Sequence, residues 1–143
     1  MMWFDFDAMQ TVSRFEELKV WQLGREISKL IYEFSRKPNF KEDRRFVAQI
    51  TASAGSIMDN VAEGFGREGK QEFIQFLYIA NGSCCEVQSQ LFRAHDVGHI
   101  TDEEFDKAIN LCRTESTKIK NFIEYLKSSE FKGNKYKKPT DPK

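Results

Sequence analysis

The chain is 143 residues long, close to one ordinary domain, and its 40% hydrophobic content supplies a single core. Its 22 basic and 22 acidic residues leave a formal net charge of zero, which excludes a protein that coats nucleic acid through bulk charge. Aromatics at 13% exclude disorder throughout, and no apolar run approaches the roughly 20 residues that span a bilayer.

Residues 1–14 mix aromatics with Asp5 and Asp7 without a helical period, and are expected to form an N-terminal extension. A first apolar stripe follows at three- and four-residue steps: Val20, Leu23, Ile27, Leu30, Ile31, Phe34. Ser13 and Glu16 stand at capping-box spacing before it, and Pro38 blocks its continuation. The turn that follows holds five basic residues (Arg36, Lys37, Lys41, Arg44, Arg45) against Glu42 and Asp43. A second stripe runs Phe46, Ile50, Ala54, Ile57, Val61, with Asn39 to Glu42 as a weaker opening cap and Gly64, Gly66 and Gly69 after it.

The third stripe, Phe73, Phe76, Leu77, Ala80, Cys84, Val87, Leu91, Ala94, ends at Gly98, suited to the left-handed conformation of a helix stop. The fourth opens on Thr101 and Glu104, a second capping box, and runs Phe105, Ala108, Ile109, Cys112, Ser116, Ile119, Ile123, Leu126. Residues 129–143 are expected to be a disordered basic tail: from Lys132 onward five lysines face Asp141 alone, a net of +4. Steps of three and four place each stripe on one helix face, and short connections force neighbours antiparallel. The predicted fold is all-α, an up-down-up-down antiparallel four-helix bundle over residues 15–128.

Several helices carry a second apolar track. Trp21 and Tyr32 lie off the first stripe; Ile74, Tyr78, Cys85 and Phe92 follow their own track on the third helix; Leu111, Phe122 and Tyr125 do so on the fourth. Burying a large apolar side chain is worth roughly 1.5 to 3 kcal/mol, so such a surface favours association. Ala52 to Ser56 place five small side chains in the second helix, and Gly24 and Gly82 interrupt the first and third, as close approach of another backbone requires. A homo-oligomer packed through Trp21, Tyr32, Ile74, Tyr78, Phe92, Leu111 and Tyr125 is therefore expected.

The chemistry on offer is limited. A polar stripe crosses the second helix (Gln49, Ser53, Ser56, Asn60, Glu63, Arg67) and another the third (Glu72, Ser83, Glu86, Gln90, Arg93), either a structural seam or a ligand groove. No Glu-x-x-His pair of the di-iron kind occurs, and His95 and His99 straddle Gly98, so no metal or other cofactor is expected. Three cysteines, two of them adjacent, give neither a disulfide framework nor a redox motif; Cys84 and Cys112 read as small core hydrophobes in a reducing cytoplasm. The glycines lack the strand and Lys-Ser/Thr of a phosphate loop, and no nucleophile–base pair can be argued from spacing. Catalysis is not expected.

The run Phe15-Glu16-Glu17-Leu18-Lys19-Val20-Trp21-Gln22, then Gln49-Ile50, Ala54, Ser56-Ile57, Asn60-Val61-Ala62-Glu63-Gly64 and Arg67, forms a recognisable set. Phe73, Phe76-Leu77, Ile79-Ala80, Gly82-Ser83 and Glu86, with Ala94 to Ile100, continue it. The sequence resembles the four helix bundle proteins, the 23S rRNA-intervening sequence protein family, first noticed as reading frames inside intervening sequences of bacterial 23S ribosomal RNA genes. The likeness covers most of Phe15 to Leu126. It implies a short bacterial, cytoplasmic protein that assembles as a ring of five, with no known catalysis. The family is also similar to the accessory variability protein of diversity-generating retroelements, a basic pentameric barrel that binds nucleic acid and a reverse transcriptase. Where the family usually shows two Arg after Gln-Ile, this chain has Thr51 and Ala52, and His99 stands where a Tyr is usual.

The expected function is thus a non-catalytic, ring-forming scaffold. A rim built from Arg36, Lys37, Lys41, Arg44 and Arg45, together with the lysine tail, would meet structured RNA or an RNA-bound partner. The competing expectation is a module that recruits a protein partner without nucleic-acid contact, through the polar stripes or the N-terminal extension. No membrane partner is expected.

Overall fold

Residues 12–129 are described by the structure, a computed structural model; most of the expected extension and all but the first residue of the expected tail lie outside them. Each apolar stripe folds as a helix. A single 3-10 turn, Phe15–Glu17, precedes α1 (Lys19–Ser35), α2 (Pro38–Glu42), α3 (Arg44–Gly66), α4 (Lys70–Asp96) and α5 (Asp102–Ser128). No strand occurs among the described residues. No helix among them is long and apolar enough to cross a membrane.

The four long helices form a bundle in which α1 packs on α3 and α5, and α4 packs on the same two. Each therefore turns one broad face inward. Ile27, Ile31, Ile50, Ile57, Leu77, Leu91, Ile119, Ile123 and Leu126 are fully buried between them. Contacts at the helix ends fix the register. Lys37 reaches from the end of α1 to Glu104 at the start of α5, and Lys70 Nζ at the start of α4 donates to the Ser129 carbonyl beyond α5 at 2.9 Å. Phe73 sits edge-on to Phe65 of α3 and to Phe122 of α5, with centroids 5.9 and 5.4 Å away.

Glycine matters at three points. A Cβ on Gly64 would lie 2.5 Å from the Cβ of Phe76, so α3 and α4 meet there only because the side chain is absent. Gly98 adopts φ +80 and ends the α4 turn, as its sequence position predicts. Gly24 brings α1 against α3, its ideal Cβ 3.2 Å from the Met58 backbone nitrogen, so here the close approach lies within one chain. Beside Gly82, by contrast, there is open space.

Four sequence expectations are corrected. The capping box at Ser13–Glu16 does not form, because Arg14 takes the Glu16 carboxylate at 2.8 Å while the Ser13 amide donates to Glu17; α1 begins at Lys19 without a side-chain cap. The weak cap at Asn39–Glu42 is instead a helix of its own, α2, with Pro38 in its first turn and Lys37 as N-cap. Ile74 is buried rather than outward, because α4 contacts two neighbours and its inward face is wide enough to take both Phe73 and Ile74. Phe122 is buried for the same reason, held between Phe73 and Tyr125. The Thr101 box forms as read: Glu104 N donates to Thr101 Oγ1 at 3.1 Å, and Thr101 N to Glu104 Oε1 at 2.8 Å.

Candidate functional site

Two places gather polar chemistry. The first is the end of the bundle where α1, α2 and α3 join. Pro38 sets the opening turn of α2, and Phe40 drops into the core with no exposed surface. Its ring stacks on His99 at 4.7 Å and lies 5.4 Å from Phe46. His99 Nε2 meets Asp43 Oδ2 at 3.0 Å, and Arg93 lies over the Phe46 ring at 4.3 Å. A second histidine, His95, meets Asp102 at 2.5 Å beside Phe105. The short helix is thus anchored on both sides.

That anchoring divides the five basic residues predicted as a rim. Lys37 is committed inward: its ammonium contacts Glu104 at 2.5 Å. Burial works against the Glu104 charge, but the Lys37 ammonium and the Thr101 N–H outweigh it and hold the carboxyl below the usual carboxylate range. Arg36, Lys41, Arg44 and Arg45 are exposed, and no carboxylate among the described residues pairs with them. Among the described residues, four cations are therefore unpaired at one corner.

The second place is the seam between α3 and α4. Here the two polar stripes, read from the sequence as separate features, come together. Ser83 Oγ donates to Ser56 Oγ at 2.8 Å, and Asn60 Nδ2 donates to the same Ser56 oxygen and to its carbonyl, each at 2.8 Å. Beyond this bridge lies a groove of about 490 Å³ lined by Gln49, Ser53, Glu86, Gln90 and Arg93. Ser53 donates to the Gln49 carbonyl at 3.0 Å. Gln90 is only 5% exposed, and its Oε1 has no hydrogen-bond partner. Leaving such a group unmet costs about 1–3 kcal/mol. Gly64 and Phe76 close the far end of the seam, where Arg67 lies over Phe76 at 5.0 Å and pairs with Glu63 at 3.0 Å. Exposed pairs of that kind contribute little stability.

Of the residues expected on an association face, Tyr32, Tyr78 and Phe92 are each about half exposed, at 49%, 50% and 50%. Tyr78 has Lys127 beside its ring at 5.5 Å, and Phe92 sits edge-on to Phe105 at 4.9 Å. Trp21, Leu111 and Tyr125 lean against the core, and Trp21 meets Phe15 edge-on at 5.3 Å. Ile79 and Val97 are exposed too, and the sequence tracks did not include them.

One polar residue of the interior escaped the sequence reading. Glu115 on α5 is wholly buried, and neither carboxylate oxygen has a hydrogen-bond partner. Burial, reinforced by Cys84, pushes its carboxyl well above the usual range, against the opposing pull of Lys118. Nearby, Cys84 Sγ donates to the Cys112 carbonyl at 3.2 Å, and Ser116 Oγ donates to Asn81 Oδ1 at 2.6 Å. The available signal was its spacing: Glu115 is three residues beyond Cys112 and four before Ile119, a core step on which a charged residue is unusual. All three cysteines are free thiols. Among the described residues, no three His, Cys, Asp or Glu side chains come together as metal ligands.

The model of the family described as 23S rRNA-intervening sequence protein matches residues 16–121, from the 3-10 turn to near the end of α5. The chain belongs to that family. Among solved structures, this 23S rRNA-intervening sequence family member is similar to a protein of unknown function from the S23 ribosomal protein family of Bacteroides thetaiotaomicron. The TM-score is 0.68 at 21% identity, covering 73% of this chain and 95% of that one. At that identity the likeness concerns the fold. The curated proteins contain no match.

Proposed function

We propose that this member of the 23S rRNA-intervening sequence protein family is a non-catalytic scaffold that contacts structured RNA through the corner where α1, α2 and α3 meet. In this reading the bundle runs up-down-up-down, works in the bacterial cytoplasm and assembles with copies of itself as a ring of five. The corner would then repeat around one rim. The observation that carries the reading is the set of exposed cations Arg36, Lys41, Arg44 and Arg45, unpaired among the described residues on a backbone pinned by buried Phe40. Cations held in fixed positions and not neutralised by neighbours displace counterions from phosphates most effectively. The half-exposed Tyr32, Tyr78 and Phe92 support self-association.

Titration against a folded RNA at 50 and 200 mM salt tests the RNA contact. Four phosphate contacts weaken binding roughly a hundredfold over that range, and replacing the four cations by alanine abolishes both binding and its salt dependence. Absence of binding at the lower salt overturns the reading. Light scattering at micromolar concentration tests the assembly separately: a single subunit there removes the rim.

A further inference from the structure

The groove between α3 and α4 is not used by the reading above, and its composition is one-sided. The Ser83–Ser56 bridge closes one end. At the other end the single cation, Arg93, rests on the Phe46 ring at 4.3 Å. Between them stand acceptors. Glu86 is exposed and forms no ion pair with a described residue. Gln90, one turn further along the same face of α4, lines the groove with an amide whose Oε1 is buried and without a partner, and a half-turn of that amide exchanges its nitrogen for the oxygen at the groove wall. Ser53 spends its hydroxyl proton on the Gln49 carbonyl, leaving oxygen lone pairs to accept.

We propose that this groove binds a guanidinium or primary ammonium group. Such a group is positively charged and carries several N–H donors, so it can answer the Glu86 carboxylate and the Gln90 amide oxygen together. A carboxylate ligand would face Glu86 and find only Arg93 in its favour. A neutral donor would satisfy Gln90 and leave the Glu86 charge unanswered. The volume of about 490 Å³ takes an elongated side chain or a small polyamine rather than a bare ion. The shared chemistry is the cationic nitrogen head, whether it arrives on an arginine or lysine of a polypeptide or on a free amine.

Two probes separate those sources: agmatine, and a capped Ala-Arg-Ala peptide. Each is titrated into ¹⁵N-labelled full-length protein at constant ionic strength, with sodium chloride as the blank. Saturable shifts of the Gln90 side-chain amide and of backbone amides around Ser53 and Glu86 are the expected result. Saturation by agmatine points to a free amine, and saturation by the peptide alone points to a polypeptide. Because Glu86 is exposed, E86Q keeps the wild-type melting temperature while weakening binding at least tenfold. Q90L, its fold checked by circular dichroism, removes the shifts near the groove. Failure of both probes to give saturable shifts overturns the assignment, and so does an E86Q variant that binds as well as wild type. The groove adjoins the corner proposed for RNA, so the two readings are separated by variant: E86Q leaves the RNA titration unchanged, and replacing Arg36, Lys41, Arg44 and Arg45 by alanine leaves the probe shifts unchanged.

Discussion

The two seams of α4 each bury a polar group that no neighbour satisfies, yet they do so in different surroundings. On the α3 side the group is Gln90, neutral, and it faces a groove floored by serines. On the α5 side it is Glu115, an acid, enclosed by the core with no exposed surface. The first belongs to a side chain that lines an open groove; the second has no such opening beside it. An orphaned polar group therefore has two meanings. Beside an opening it would mark a place for a ligand, as proposed for the groove, whereas in a sealed interior it is a standing cost carried by the fold.

Replacing each group separately tests that distinction. E115L has the largest expected effect, a gain of about 1–4 kcal/mol at pH 8 by urea unfolding. The gain depends on pH in a defined direction. In the unfolded chain Glu115 ionises near the ordinary carboxylate pKa of about 4.3, whereas in the fold it keeps its proton to higher pH. The native state thus binds more protons above that point, and wild-type stability falls as pH rises. E115L and E115Q both flatten this slope; an unchanged slope means that Glu115 is not the cause.

The close approach along the α3 seam comes next. G64A forces its new methyl onto Phe76 and is expected to cost about 1–3 kcal/mol in the same assay. Q90L separates the seams most directly. It stabilises the protein by about 1 kcal/mol while eliminating the cation-dependent shifts, whereas E115L stabilises without altering them. If Q90L lowers stability, Gln90 has a partner in the native protein and the contrast fails. The smallest change is G82A, expected to raise stability by up to about 1 kcal/mol because nothing lies within 4 Å of the added carbon. A loss of stability, or of the self-association proposed above, would instead show that another copy lies against that face.

Most of the helical layout was legible because three- and four-residue steps of apolar residues have few other meanings. What escaped detection depended on competition between neighbours. Glu16 has the right spacing for a cap, but Arg14 is nearer in charge and claims it. Asn39 to Glu42 reads as a turn until Phe40 finds a pocket formed by residues far along the chain, His99 among them. Cys112, Glu115, Ser116 and Ile119 offer two ways through the core, and the small serine was the natural choice; both residues are buried. For the site, the sequence supplied the polar residues of α3 and α4 on their own faces. That they share one groove, with Gln90 unmet, depends on the register between two helices, which no local pattern encodes.

A single oxygen near the end of the bundle has wider reach than its position suggests. Glu104 Oε1 accepts from the Thr101 amide at 2.8 Å and from Lys37 at 2.5 Å, so it serves both as the starting clasp of α5 and as the buckle holding the end of α1. Across relatives, positions 37, 101 and 104 should change as a set: a lineage that loses the acid has little reason to keep the lysine or the threonine, and covariation among them would trace this knot through the family's history.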